Sequence, residues 1–235
     1  MKRIFSIVLF AICFVVSAFF VWQQIVLHGT KIAAIKQYAD SKAMLNAVPQ
    51  PMRKIPALFS HTNPVTIVLE DCAFSLPSNR FACETNSRTQ VSFQSDQCRI
   101  LIMPSADAKS FDPVMRPLNE TNFYNFVLDA YNATETDISK QRNIKELMRL
   151  LVLIKVKCMM TPLGFQDSCI QFDRANFKGF IVGDPTRQKN VVVSIYLEEK
   201  KQFFDLGVIQ KTRLHVSDIE EIVSLLQVTP SNKRG

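Results

Sequence analysis

Glycine is scarce in this chain, with six copies in 235 residues at positions 29, 164, 179, 183, 207 and 235, and no G-x-G-x-x-G or Walker pattern among them. A phosphate-cradling loop needs clustered glycines so that backbone N–H groups can approach the oxygens, and nucleotide binding by those routes is excluded. Histidine is scarcer still. His28, His61 and His215 form no H-x-x-x-H, and the six cysteines form no C-x-x-C. No ligand set has converging spacing, so no metal and no cofactor is expected. A G-x-S-x-G nucleophile elbow is also lacking. The carboxylate pairs Glu70-Asp71, Glu198-Glu199 and Glu220-Glu221 are adjacent in sequence, so on a strand or helix their side chains point apart and serve solvation. No residue is named as catalytic, and low-complexity segments and long-period repeats are missing too.

What the chain does have is a long apolar run. Ile4 to Trp22, IFSIVLFAICFVVSAFFVW, holds nineteen residues with no charge. As a helix that length crosses the hydrocarbon core of a bilayer, so residues 1–22 read as a transmembrane signal anchor. A cleavable signal peptide competes, because Lys2 and Arg3 form a basic start and Val16-Ser17-Ala18 offers a small-residue cleavage pattern. The run continues four residues beyond that pattern, which favours the uncleaved anchor. Lys31, Lys36 and Lys42 after the run balance Lys2, Arg3 and the terminal amine before it, so charge alone does not orient the helix.

Cysteine spacing offers an orientation. CAFSLPSNRFAC (72–83) and CMMTPLGFQDSC (158–169) each place ten residues between two cysteines. Folded about its centre, each segment sets its cysteines opposite one another on a hairpin, within the reach of a disulfide. Cys72–Cys83 and Cys158–Cys169 are therefore expected bridges; small buried thiols on strands are the other reading. Cys98 is left over, and spacing does not forbid its pairing with Cys72 or Cys83. Bridges imply an oxidising compartment, hence a single-pass membrane protein with its domain on the extracytoplasmic side.

Beyond the anchor, residues 23–61 read as a juxtamembrane helix, broken at Gly29, and a stalk containing Pro49, Pro51 and Pro56. A globular domain is expected over 62–229, followed by a tail at 230–235. VTIVLEDCAFSLP and TQVSFQSDQCRILIMP carry strand patterns, the second folding around Ser95-Asp96. Phe123, Phe126, Val127, Ala130 and Tyr131 share a helical face, as do Ile144, Leu147, Met148 and Leu151 in a second helix from about Ser139. That helix is expected to give way to a strand carrying Val152, Ile154, Val156 and Cys158. FKGFIVGD, NVVVSIYLE and QFFDLGVI form an antiparallel meander, and Ser217 with Glu220 reads as a capping box for a closing helix bearing Ile219, Ile222, Val223 and Leu226. The fold class is α+β: an N-terminal transmembrane helix, then one domain with a mainly antiparallel sheet packed by helices.

This order of elements over about residues 65–227, with FSLPSNR at 74–80 and VVVSIYLEE before the meander turn, resembles the PsbP/Mog1-like α/β/α sandwich proteins. The resemblance implies a non-enzymatic binding or assembly factor. The positive signal is basic: between 140 and 157 the cations Lys140, Arg142, Lys145, Arg149, Lys155 and Lys157 face Glu146 alone. Arg142, Lys145 and Arg149, with Lys155 and Lys157 on the next element, are the candidate binding residues for an anionic lipid surface or an acidic protein partner. A solvated outer face is the competing reading, and nucleic acid is not expected. The resulting function is a membrane-anchored, extracytoplasmic, non-catalytic binding or assembly module. The alternative is an envelope enzyme or thiol protein using Cys98, with His215 as base.

Overall fold

The computed structural model describes residues 2–41, 45–58, 63–87, 90–161 and 168–230, with side chains other than those of 2–14, 41, 85–87, 90 and 230. The chain is α+β, and its main sheet is antiparallel except at one edge. That sheet has eight strands in the order β1-β7-β8-β9-β10-β6-β5-β4: β1 (Pro49–Lys54), β4 (Ala82–Ser87), β5 (Gln90–Gln94), β6 (Cys98–Asp107), β7 (Cys169–Arg174), β8 (Phe177–Val182), β9 (Asn190–Leu197) and β10 (Gln202–Gln210). A second sheet of three strands, β11-β3-β2, is built from β2 (Pro64–Leu69), β3 (Cys72–Pro77) and β11 (Gln227–Pro230).

The large sheet is the middle layer. Alternation along its strands sends Phe172, Ile181, Val193, Phe204 and Val208 to one face, where they meet Phe74 and Leu76 of the small sheet. The helix α6 (Val216–Leu225) closes the same side with Ile219, Ile222 and Val223. Phe180, Val182, Tyr196 and Phe203 point the other way, into a layer of four helices: α2 (Ala108–Met115), α3 (Phe123–Asn132), α4 (Glu135–Lys140) and α5 (Ile144–Met160). The overused phenylalanines are spent here: Phe123 meets Phe203 edge-on with ring centres 5.6 Å apart, and Tyr124 stacks on Phe180 at 5.5 Å. Each fully buried aromatic contributes roughly 1.5–3 kcal/mol of transfer free energy.

The meander β8-β9-β10 and the closing helix follow the sequence patterns. Elsewhere the fold departs from them. The segment expected as a stalk is part of the sheet, because β1 pairs in parallel with β7, Pro49 opposite Cys169. Its prolines fit there since an edge strand has one side with no ladder bonds to donate. Residues 72–83 make no hairpin. Instead Glu70-Asp71, both at positive φ (47° and 62°), form a two-residue turn that pairs Leu69 with Cys72, the backbone of a type I′ hairpin. LVLIKVKCMM is helix rather than strand: α5 starts at Asn143, whose side chain accepts from the Glu146 N–H at 2.9 Å, and buries Leu147, Leu150, Ile154, Lys157 and Met160. Those positions recur at helical spacing, and their burial overrides the β preference of Val152, Ile154 and Val156. The last helix begins earlier than Ser217: His215 is its N-cap, and the His215 N–H donates to Asp218 Oδ2 at 2.7 Å.

The first helix, α1, spans Lys2–Gln37 without a break at Gly29. The expected anchor Ile4–Trp22 falls largely on residues 1–14, which lie outside those with described side chains. Among the described residues, no helix is long and apolar enough to cross a membrane. From Val15 to Ile25 the described apolar side chains are exposed, including Phe19, Phe20 and Trp22, whereas Leu27 and Ala34 are buried with the helical layer.

Candidate interaction surface

The five described cysteines, Cys72, Cys83, Cys98, Cys158 and Cys169, are free thiols. Cys72 lies in the small sheet opposite Leu69, while Cys83 stands at the edge of the large sheet opposite Phe93. The expected face-to-face register of that pair is not formed, because the chain crosses from one sheet to the other between them. Cys158 is on α5 and Cys169 begins β7. Burial pushes the Cys72, Cys98 and Cys158 thiols up and Cys169 to about 12. A nucleophilic cysteine requires the opposite shift. Cys98 is 1% exposed, with Ser95 Oγ at 3.5 Å, and His215 is occupied as an exposed helix cap. The geometry therefore does not support thiol chemistry at Cys98. His61 lies outside the described residues, and among those described no group of three His, Cys, Asp or Glu could hold a metal ion.

Other polar clusters are structural. Asp205 is pushed up by burial and accepts from Ser194 Oγ at 2.5 Å, but Ser194 is closed to solvent. Arg174 donates to the Ser224 and Leu226 carbonyls at the end of α6 and lies over Phe177. A cleft of about 330 Å³ between Arg80, Ser95–Cys98 and α6 is crossed by the Arg80–Glu221 ion pair.

The five basic candidates separate. Lys157 is 2% exposed, and its ammonium donates to the carbonyls of Leu45 (2.8 Å), Ala47 (2.7 Å) and Ala133 (3.0 Å). Desolvation lowers its pKa to about 8. It is an internal clasp, not a docking group; the reading that put it on a strand face missed that position 157 falls on the buried side of a helix. Arg149 is held by Glu120 and Asp129. Arg142 precedes α5 rather than sharing its face. Arg142, Lys145 and Lys155 remain exposed. No family model, curated protein or solved structure matches this chain.

Three contacts fix how that surface lies relative to α1. Tyr38, just after α1, and Cys158, in the last turn of α5, pack against the same buried cluster. Lys157 ties Ala133, just before α4, to the same end of α5. Lys31, seven residues before Tyr38, donates to the Ser139 carbonyl at the far end of α4 at 2.9 Å. Positions on α1 and α5 thus descend together, and the N-terminal end of α5, with Lys140, Arg142 and Lys145 around it, points toward the exposed apolar part of α1. Along the helix Leu27 is about 8 Å from Trp22 and Lys31 about 14 Å. Glu146 is the one carboxylate on α5 itself.

Proposed function

We propose that this chain is a membrane-anchored, non-catalytic binding module, held close to the bilayer with its Arg142–Lys145 end toward anionic headgroups. The observation that carries the reading is the unbroken α1, whose described apolar side chains from Val15 to Ile25 are exposed and which packs Leu27 and Ala34 into the domain. Exposed Val, Phe and Trp on all sides of a helix are costly in water and favourable in lipid, and a Trp at the end of such a run suits the interface. With no flexible linker, the domain cannot swing far from the surface. The nearby cations then lie near the reach of headgroup charge, which extends about a Debye length of 8 Å beyond the surface.

Carbonate washing of membranes carrying the full chain tests the anchor: the protein is expected in the pellet, and its release would overturn the reading. The side is tested at Cys83, which is exposed. A membrane-impermeant maleimide labels it in intact cells if the domain lies outside, and only after permeabilisation if it lies inside. For the basic end, Arg142→Gln/Lys145→Gln should reduce quenching of a probe at Lys140 by labelled anionic lipid, most at low salt. Equal quenching in both proteins would remove lipid contact from the proposal.

A further inference from the structure

The exposed side of α5 has the wrong composition for a solvated face. Met148 and Met159 are 51% and 66% exposed, Val152 is half-buried without joining the core, and Lys155 completes the row. Spacings of four, three and four residues put these side chains on one line about 16 Å long, with Lys145 beside its start. Leu147, Leu150, Ile154 and Lys157 occupy the opposite side and bury it. No carboxylate lies on the outward line, and no ion pair described in the molecule uses Lys145 or Lys155. Flexible methionines flanked by lysine stems make an adaptable apolar strip with a positive border.

We infer that this face of α5 docks an amphipathic helix of another protein, one presenting an apolar stripe edged by carboxylates. Charge complementarity selects that occupant. A second copy of this chain would bring Lys145 and Lys155 against their own equivalents, because a two-fold contact sets the same patch on both sides. A bilayer is disfavoured by direction: α5 descends alongside α1, so its long face runs away from the surface that its N-terminal end approaches. This exclusion of lipid rests on the anchor reading; the rest does not. An acidic helix lying along the strip buries Met148, Val152 and Met159 and brings its carboxylates to Lys145 and Lys155, the helix-in-groove mode of recognition.

Full-length protein in phosphatidylcholine nanodiscs provides the test. The probe is a fluorescein-labelled synthetic helix of about 20 residues, with leucines on one stripe and glutamates flanking it, read by anisotropy. Its counterpart carries lysines in place of glutamates. Binding of the acidic helix should be at least tenfold tighter than that of the basic one. It should weaken at least tenfold in Met148→Asp/Met159→Asp, and several-fold in Lys145→Gln/Lys155→Gln with a flatter salt dependence. All four positions are exposed, so unchanged circular dichroism and melting are expected of both variants. Equal binding by wild type and Met148→Asp/Met159→Asp overturns the proposal. So does a dimer, seen by sedimentation, that this double variant abolishes, which would assign the face to a second copy. Protection of a spin label at position 159 on switching to anionic nanodiscs would assign it to lipid. Failure of the anchor reading registers separately, as release by carbonate, and leaves peptide binding measurable on the released chain.

Discussion

At the scale of single residues, Lys157 shows how a charge becomes internal scaffolding. Its three N–H donors hold Leu45, Ala47 and Ala133, joining the connection between α1 and β1 to the end of α3. Lys157→Met leaves three carbonyls without that donor and should cost about 2 kcal/mol or more at pH 7 in urea denaturation. The sign with pH follows from the depressed value of about 8. The unfolded lysine titrates near 10.4, so between these values the unfolded state binds more protons and the site's contribution to stability rises with pH. The gap between wild type and Lys157→Met should therefore widen from pH 7.5 to 9.5; a constant gap would mean that the ammonium is not desolvated. The thiols make a second residue-scale prediction. With the reductant removed, Cys83 should react at once with a thiol reagent, and the buried Cys72, Cys98 and Cys169 only on unfolding. A native bridge between Cys72 and Cys83 would instead leave Cys83 silent.

At the scale of elements, strand proximity and turn chemistry decide what substitutions do. Gly179 lies in β8 directly behind β9, where an added Cβ would stand 1.9 Å from the Ser194 carbonyl oxygen. A backbone atom in the sheet cannot yield as a side-chain tip does, so Gly179→Ala should destabilise by about 3 kcal/mol or more, as overpacking in rigid surroundings does. Thermal melting of the purified chain would show it. Gly29 is the contrast, with nothing within 4 Å of an added Cβ. Gly29→Ala should stabilise α1 by about 0.5–1 kcal/mol and stiffen the link between its exposed and buried parts. An unchanged or lowered melting temperature would argue against a continuous helix at that position. The Glu70-Asp71 turn was hidden in the sequence because neither residue is the Asn or Gly that a type I′ turn favours. A run that alternates across such a turn reads as one long strand.

At the scale of the whole molecule, the eight-stranded sheet carries a helical layer on one face and a small sheet with α6 on the other, and α1 belongs both to that helical layer and to the exposed apolar run. One consequence is orientation. Fluorophores placed at Lys145 and at Val68, an exposed position on β2 across the large sheet, should differ sharply in quenching by lipid-borne quenchers in reconstituted full-length protein. Strong quenching at 145 and little at 68 is expected; equal quenching would mean that the domain tumbles freely on its anchor.

Periodicity alone determined the amphipathic α3, the β8-β9-β10 meander and the apolar face of α6, because in these segments one face is buried by neighbours close in the chain or by a single layer; the helix at the start was legible from its uncharged run. It also supplied the basic residues around α5, as composition. What each of them does was decided by tertiary structure: Lys157 turned inward when its segment proved helical, Arg149 stayed exposed but met Glu120 from before α3, and Arg142 fell outside the helix. The same holds for Cys72 and Cys83, equally spaced with Cys158 and Cys169 yet delivered to different sheets. Spacing in sequence constrains a pair only while both residues stay in one element, and burial of the apolar faces of the sheets and helices outweighed the local preferences of each segment.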